Sequence, residues 1–386
     1  MTEKLFYEDS HMITFSAIVN ACEKVGDHYE AVLSRTAFFP EGGGQYADTG
    51  LIDGVRVYDV HEKCGEIKHY VEAPLEVGKE VEGSIDWEER FSKMQNHSGE
   101  HIISGLVNRQ FGYDNVGFHM GKDAITMDFN GPMTKEQMKE IELKANAIVY
   151  QNIPIETLYP TKIELESLVY RSKIEIEGQV RIVRIADCDV CACCAPHCKT
   201  TGEIGTIKLV GIQNYKGGVR ISMLAGFRAL EDYEQKSENV KRISVLLSAK
   251  EHEIADEVEK LKEELLAKKN QLHELQRTVL MQKVNSMEEN QDVVVMFESE
   301  LEGNGPRELA NMVLNKGTRV AAVFAGNAGN YRYVIGSRTA DTREIAKTLN
   351  AKFNGRGGGK PEMVQGSVSG DEVSVREEVL ACCKEI

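Results

Sequence analysis

The chain has 386 residues, of which 41% are hydrophobic and 28% are charged, and its formal net charge at pH 7 is −15. These proportions are typical of a globular protein of two or three domains. The strongly negative charge argues against a protein that holds nucleic acid through overall positive charge alone.

Export and membrane signals are missing from the sequence. No run of eighteen apolar residues occurs, which argues against a membrane-spanning helix. The N-terminus, MTEKLFYEDSHMITF, lacks the basic flank and apolar block of a secretory signal. We therefore expect a cytoplasmic protein, in which clustered cysteines bind metal or take part in catalysis more often than they form disulfides.

The first half of the chain predicts two domains. Residues 1–88 alternate short apolar stretches with glycine turns, which predicts a small N-terminal β-barrel. Residues 89–228 combine two segments of helical spacing, 89–109 and 133–152, with strand-like segments around a cysteine-rich stretch. Such a mixture predicts a second domain of the α+β class.

The second half of the chain predicts a helical arm and a further domain. Residues 229–290 are rich in Glu, Lys and Leu, and their apolar positions recur at steps of three and four. This predicts a long helical or coiled-coil arm, with a stutter where the phase shifts between Leu247 and Ile254. The arm forms a hairpin within one chain or pairs two chains in a homodimer, and the sequence leaves both arrangements open. Residues 291–386 return to strand patterns with one helical segment, which predicts a separate glycine-rich α/β domain.

Two pairs of metal-binding residue types stand four residues apart at distant places in the sequence. His97 and His101 lie on a predicted helix, so both imidazoles project from one face about one turn apart. Cys193 and His197 have the same spacing within the stretch CACCAPHC. One thiolate and three imidazoles would form a tetrahedral shell that suits zinc, whereas magnesium and calcium prefer oxygen ligands.

The cysteine-rich stretch also permits a different metal site. Cys188, Cys191 and Cys194 follow one another at the two-residue gaps of a zinc knuckle. In that arrangement the histidine pair on the predicted helix would be an ordinary packed or surface pair. Spacing alone leaves both sites open, and it leaves open whether Cys191 or Cys194 replaces Cys193 as a ligand.

Three motifs occur together in this chain: a helix of the form H-x-x-x-H (MQNHSGEHII), a C-x-x-x-H pair followed by TGEIG (CCAPHCKTTGEIG), and a glycine-rich loop (TAFFPEGGGQYADTG). Together they resemble the editing domain of alanyl-tRNA synthetase and its free-standing relatives, the AlaX proteins. The stretches GFHMGKDAITMDF and YKGGVRI are also similar to this family. The resemblance implies a zinc site made by His97, His101, Cys193 and His197. The family usually has Gly-Gly-Thr between the paired ligands, where this chain has Cys194, Ala195 and Pro196.

The activity that the resemblance implies is editing, in which a wrong amino acid, chiefly serine and secondarily glycine, is hydrolysed from tRNA(Ala). We expect Gln45, Thr36 and His119 at the catalytic site, where Gln45 and His119 match positions of the family. We expect Gly42, Gly43, Gly44, Asp48 and Arg220 to bind the substrate, because the backbone amides of a glycine run can approach a ligand closely, while Asp48 also ties the loop down. Thr36 is the candidate for selectivity, because a pocket that hydrogen-bonds the serine hydroxyl rejects alanine far better than a size filter does.

The C-terminal stretch GRGGGKPEMVQG resembles the glycine-rich C-terminal domain of alanyl-tRNA synthetase, a domain that DHH-type phosphoesterases share. With the arm, it extends the similarity from about residue 10 to 370, the pattern of a long AlaX protein. The resemblance implies contact with the outer part of tRNA(Ala) through Arg356, Gly357, Gly358, Gly359 and Lys360. Nine basic and two acidic residues lie between 316 and 360, which fits contact with phosphates.

Two other functions are compatible with the sequence. One is a tRNA-binding or regulatory protein with an inactive editing fold, which the intact ligand pairs and Gln45 disfavour. The other is a zinc phosphoesterase acting on nucleic acid, which the missing aspartate cluster of the DHH enzymes disfavours.

Overall fold

A computed structural model describes residues 2–172 and 178–385 of the chain. The chain divides into two compact units, Met1–Val245 and Leu246–Ile386. Within the described residues, no helix combines the length and the apolar character needed to cross a membrane. Both units combine helices with largely antiparallel sheets, so the predicted α+β class is confirmed.

The first unit begins with strands that close on themselves. The strands are β1 (Glu3–Lys4), β2 (Thr14–Val25), β3 (His28–Leu33), β4 (Arg35–Thr36), β5 (Gly50–Ile52), β6 (Val55–Lys63), β7 (Glu66–Val71) and β8 (Glu80–Ile85). Six of them form a ring in the order β2-β3-β7-β6-β5-β8, and β1 pairs with β4 in parallel. Alternating apolar residues such as Val57 and Ile67 point into the ring and are fully buried.

Helices and two further sheets complete the first unit. The elements in chain order are α1 (Trp87–Phe111), β9 (Asn115–Met120), β10 (Ile125–Phe129), α2 (Lys135–Gln151), β11 (Ile155–Leu158), α3 (Lys162–Ser167), β12 (Ile182–Ile185), β13 (Asp189–Ala192), β14 (Ile207–Tyr215) and β15 (Gly218–Ala225). One sheet has the order β14-β15-β10-β9 and the other β11-β12-β13. Helix α2 starts at a capping box, in which Thr134 and Gln137 satisfy each other's backbone N–H groups.

Helix α1 is the element that positions the candidate site. Most of its residues from Arg90 to Val107 are buried, because it packs against β13, β15 and α2. Gly105 allows the close approach to β13, since a Cβ at this position would lie 2.5 Å from the carbonyl oxygen of Cys188. The loop after β13 packs in turn on the strand ring, where Ala195 is fully buried within its core. Residues far apart in sequence therefore meet beside α1.

The segment predicted as one arm contains two helices. They are α4 (Phe227–Leu247) and α5 (Ile254–Asn285). The expected stutter is instead a break in the helix, which coincides with the phase shift and includes Ser248 at φ +51°. Many apolar side chains on both helices are exposed, including Leu246 and Leu265. The coiled-coil pairing of this segment stays a prediction.

The second unit is built on a five-stranded sheet. Its elements after α5 are β16 (Val293–Glu298), α6 (Gly305–Leu314), β17 (Val320–Asn327), β18 (Asn330–Ser337), α7 (Arg343–Lys352), β19 (Arg356–Lys360), β20 (Met363–Ser369) and α8 (Glu372–Cys382). The strand order is β16-β17-β18-β20-β19, with only the first pair parallel. The glycine-rich strand β19 therefore lies at an edge, and all its residues are exposed.

Candidate metal centre and its pocket

Four side chains from the two sequence-distant pairs meet beside helix α1. Each of His97, His101, Cys193 and His197 offers a ligand atom, and these atoms all lie within 4.8 Å of one another. Sγ of Cys193 lies 3.6 Å from Nε2 of His97 and 3.4 Å from Nε2 of His197. Tetrahedral zinc with ordinary bond lengths would separate a sulfur and a nitrogen ligand by about 3.5 Å. The cluster therefore has the composition and the spacing of a four-ligand metal site.

The outer ring nitrogens of the three histidines have partners. Nδ1 of His97 lies 2.9 Å from Oε1 of Gln45, and Nδ1 of His101 lies 2.8 Å from a carboxylate oxygen of Asp189. Both partners are acceptors, so Nδ1 of each ring carries a proton and Nε2 is the nitrogen that could give its lone pair to a metal. Nδ1 of His197 contacts the hydroxyl of Ser98 at 3.2 Å. Such outer partners orient imidazoles for metal binding.

The charges around the cluster favour the thiolate form of Cys193, which is the form that binds metals, and they favour a positive charge beside it. Burial opposes ionisation of Cys193, yet the imidazoles of His97 and His197 hold its pKa well below the ordinary thiol value. Burial likewise opposes a charge on His101, but its bonds to Asp189 and Cys193 raise its pKa to about 10. Because the surroundings stabilise a cation next to a thiolate, they also suit a bound metal ion.

Cys188, Cys191 and Cys194, the alternative zinc knuckle, do not form a cluster that could bind a metal within residues 2–172 and 178–385. The second group that could bind one combines Cys191 with His101 and Asp189. Cys188 instead points its thiol toward the carbonyl oxygen of Ile102, at 3.7 Å. Cys194 is exposed, so its side chain does not join Cys193 in the buried cluster.

The glycine loop forms a tight turn beside the cluster. Gly42 and Gln45 exchange two backbone hydrogen bonds of 3.0 Å, and the two residues between them have φ of +60° and +80°. Positive φ at both positions is the two-residue hairpin turn that glycine favours. A Cβ at Gly44 would lie only 2.7 Å from the ring of Phe118 and 2.9 Å from its carbonyl oxygen. Glycine is therefore required here for two independent reasons.

Replacement of Gly44 by alanine is expected to destabilise the protein more than the same change at Gly54. The two glycines share nearly the same φ, +80° and +79°, but a Cβ at Gly54 meets nothing within 4 Å. Each substitution carries the backbone penalty of about 1 kcal/mol, and only Gly44→Ala must also displace Phe118. Urea unfolding of the two variants measures the difference, and equal losses of stability would show that the contact with Phe118 is not limiting.

A pocket of about 580 Å³ opens beside the cluster and the turn. Its walls include Gly43, Gly44, His97, His101 and Cys193. Gln45 is fully buried next to it, and its Nε2 has no hydrogen-bond partner among the described residues. Gln45 does not itself line the pocket, but an unsatisfied buried amide costs about 1–3 kcal/mol, so an acceptor that reached this N–H group would be stabilised.

The other predicted site residues do not line this pocket. Thr36 is fully buried, and its hydroxyl lies 2.8 Å from Nε2 of His69. Asp48 is buried in an ion pair with Arg90 and accepts the backbone N–H of Phe39 at 2.6 Å, so it holds the loop in place.

Two more predicted residues lie on strands of the four-stranded sheet. His119 is exposed on β9, with its ring 6.0 Å from that of Tyr46. Arg220 on β15 pairs with Asp128 at 2.6 Å and stacks 3.9 Å above the ring of Tyr215. Neither residue is among those that form the cluster.

Three parts of the chain match known family models. Residues 2–89 match tRNA synthetases class II (A), residues 180–244 match the threonyl and alanyl tRNA synthetase second additional domain, and residues 290–385 match the DHHA1 domain. The matches fall in both compact units.

Similar proteins cover nearly the whole chain. An alanyl-tRNA editing protein AlaX-L of Pyrococcus horikoshii is 27% identical over 95% of both chains. Alanine–tRNA ligases of Archaeoglobus fulgidus and Thermofilum pendens are 28% and 30% identical over 98% of this chain, which spans 43% of each ligase. The C-Ala domain of Aquifex aeolicus alanyl-tRNA synthetase, a solved structure, is 24% identical, and the match covers 25% of this chain and 94% of that one at a TM-score of 0.22.

Proposed function

We propose that this chain is an AlaX-type alanyl-tRNA editing protein, which hydrolyses the ester of mischarged tRNA(Ala) and releases chiefly serine. The observation that carries the proposal is the cluster of three histidines and Cys193, which opens onto the pocket beside the glycine turn. An aminoacyl ester is already labile, so positioning of the ester and of a water molecule supplies much of the catalysis.

The residues of the cluster fit zinc. One thiolate and three neutral imidazoles are ligands that zinc prefers, and their number completes a tetrahedral shell. We propose His97, His101, Cys193 and His197 as its ligands. When bound there, zinc would supply a positive charge that anchors the substrate and stabilises the fold around it. Because four protein ligands leave no open position, we assign the hydrolytic water to the residues around the pocket.

Gln45 is the residue that we propose to contact the ester. Its Oε1 is held by His97, which fixes the orientation of the amide, while its Nε2 has no partner among the described residues. That N–H group can donate to the carbonyl oxygen on which negative charge develops during hydrolysis. The backbone N–H groups of the turn, at Gly43 and Gly44, border the same pocket.

Thr36 stays our proposal for the recognition of serine, and His69 defines how its hydroxyl is presented. Burial lowers the pKa of His69 to about 4, and its Nδ1 donates to the carbonyl oxygen of Ala31 at 3.0 Å. Nε2 of His69 must then accept the hydroxyl proton of Thr36. The hydroxyl oxygen of Thr36 in turn accepts the backbone N–H of Phe38 at 3.1 Å. One lone pair remains on the Thr36 oxygen, which suits the hydroxyl proton of a serine and has no counterpart in alanine. Because Thr36 is fully buried and does not line the pocket, this recognition requires the residues that cover it to move when the substrate binds.

The second unit is the part that we propose to contact the outer region of tRNA(Ala). Its edge strand β19 presents Arg356 and Lys360 with three exposed glycines between them. A cleft of about 550 Å³ next to the strand is also lined by Arg307 and Arg338. Cations and open backbone groups at a strand edge are suited to phosphates. Pairing of two chains through the helices α4 and α5 stays a prediction.

The test of this function is a deacylation assay with tRNA(Ala) carrying serine, glycine or alanine. We expect rapid release of serine, slower release of glycine and retention of alanine. Binding without release would indicate a regulatory protein, and shortened RNA would indicate a phosphoesterase. Equal release of all three amino acids would contradict recognition of the serine hydroxyl.

Asp189→Asn is expected to weaken zinc binding about 10–100-fold, the usual cost of losing an outer partner of a metal ligand. The neutral amide no longer attracts the proton on Nδ1 of His101, so the imidazole becomes a poorer and less well oriented ligand. Competition with a chromogenic chelator measures the affinity.

The matched control for this variant is Asp187→Asn, which makes the same change at an exposed position two residues away. We expect its zinc affinity to equal that of the wild type. If both variants bind zinc as the wild type does, the carboxylate of Asp189 has no role in the metal site.

A further inference from the structure

The pocket beside the cluster is larger than the chemistry of the ester requires. The cluster and the glycine turn form one part of its lining. The remainder includes the aromatic rings of Tyr7 and Tyr159 and the guanidinium of Arg181. Its accessible surface is mostly apolar, so the pocket fits a molecule with a flat, weakly polar part and a negative charge.

Arg181 is held in a fixed position at this pocket. One of its terminal nitrogens, Nη1, donates to the carbonyl oxygens of Cys193 and Ala195 at 2.8 and 2.9 Å. Its guanidinium lies 5.1 Å from the centre of the Tyr7 ring. Arg181 forms no ion pair with any described residue, and its Nε is buried without a hydrogen-bond partner among them. A cation that is rigidly held and lacks a carboxylate partner is suited to an anionic ligand.

The aromatic side chains provide the flat surface. Tyr159 is 49% exposed although it borders the pocket, and Tyr7 is half-buried beneath Arg181. Nucleobases bind proteins by stacking on such rings and on guanidinium planes. The ester that the proposed function requires is attached to the ribose of a terminal nucleotide, so a base and a phosphate must both lie close to the reacting bond.

We infer that Tyr7, Tyr159 and Arg181 form a binding site for the terminal adenosine of the substrate and for its 5′-phosphate. The inference rests on the proposed function. The base lies against the tyrosines, and the guanidinium faces the phosphate. Because Arg181 also holds the carbonyl of Cys193, the nucleotide site and the cluster are connected through one side chain.

Tyr159→Ala tests the stacking surface, with Tyr150→Ala as its matched control. Both tyrosines are exposed, but Tyr150 is 80% exposed on helix α2 and does not line the pocket. We expect Tyr159→Ala to raise KM for seryl-tRNA(Ala) about tenfold, with a smaller change in kcat, because one base-stacking surface is lost. Tyr150→Ala should behave as the wild type. An unchanged KM in Tyr159→Ala overturns the inference.

Arg181→Gln tests the phosphate contact in the full chain without any deacylation. Calorimetric titration with adenosine monophosphate and with adenosine is expected to show tighter binding of the monophosphate to the wild type. In Arg181→Gln that preference should disappear while adenosine still binds, which also shows that the pocket remains folded. If the wild type binds adenosine monophosphate no more tightly than adenosine, or if Arg181→Gln still prefers the monophosphate, Arg181 does not contact the phosphate.

The two failures can be told apart. If the wild type binds adenosine monophosphate as expected but releases no amino acid, the proposed deacylation is wrong and the nucleotide site stands. If the wild type releases serine but Tyr159→Ala keeps its KM, the function stands and the nucleotide site is elsewhere.

Discussion

Cys193→Ala is expected to abolish stoichiometric zinc binding and, with it, the release of serine from seryl-tRNA(Ala). The sulfur is the one thiolate of the cluster, and it lies within 3.6 Å of two imidazole nitrogens. Its removal would take away both a proposed ligand and the negative charge that would offset a metal ion. The loss of affinity should exceed the 10–100-fold that loss of an outer partner costs. Metal analysis after dialysis against a weak chelator measures the zinc content.

Cys194→Ala is the matched control, since it removes the neighbouring thiol and nothing else. Cys194 is exposed, whereas the cluster is formed mainly of buried side chains. We expect this variant to keep one zinc per chain. Loss of zinc from Cys194→Ala with retention by Cys193→Ala would reverse the assignment of the two cysteines.

Arg90→Met is expected to lower the free energy of unfolding of the first unit by about 3–5 kcal/mol, the usual cost of leaving a buried charge unpaired. Arg90 and Asp48 have side chains that are 0% and 1% exposed and form an ion pair. Arg90 also donates to the carbonyl oxygens of Ala37 and Ser10. Its loss leaves the carboxylate of Asp48 in the interior beside the glycine loop. Urea unfolding monitored by circular dichroism measures the change.

The control for this prediction is Arg184→Met, which breaks an ion pair at the surface. Arg184 and Glu156 are each 46% exposed, so water screens their attraction. We expect a change of about 0–1 kcal/mol, as for most exposed pairs. Arg90→Met could instead change the free energy of unfolding as little as Arg184→Met does and still weaken tRNA binding. That result would mean that Asp48 acts on the substrate, as predicted from its motif, and does not hold the loop in place.

Local patterns predicted the elements well because each pattern reflects a local cause. The spacing of His97 and His101 requires a helix to bring them together, and α1 provides it. The run of three glycines predicted a turn, and two of them have the positive φ that a hairpin turn needs. The convergence of the two ligand pairs came from the resemblance to a family, because spacing gives no information on contacts between distant segments.

The residues that the sequence did not reveal are partners of the proposed ligands. Asp189 and Ser98 each contact a histidine of the cluster, and Arg181 holds the loop that carries Cys193. Their roles depend on how strands and helices pack, which no local pattern encodes. A partial signal existed for Asp189, since ligating histidines usually bond a carboxylate and this acid stands four residues before Cys193.

The two-helix form of the arm has a similar explanation. A shift in the phase of apolar residues is compatible with a stutter in one helix or with a break between two helices. The structure has the break, at 248–253, and the apolar residues that gave the pattern remain largely exposed. Periodicity identified the helices, but it could not identify what covers their apolar sides.

The central claim is that His97 and His101 bind the same zinc ion as Cys193 and His197. X-ray absorption spectroscopy at the zinc edge tests it most directly. For the purified protein we predict one sulfur at about 2.3 Å and three nitrogens at about 2.0–2.1 Å from the metal. A shell with two or more sulfurs, or a protein that holds no zinc at all, would contradict the account.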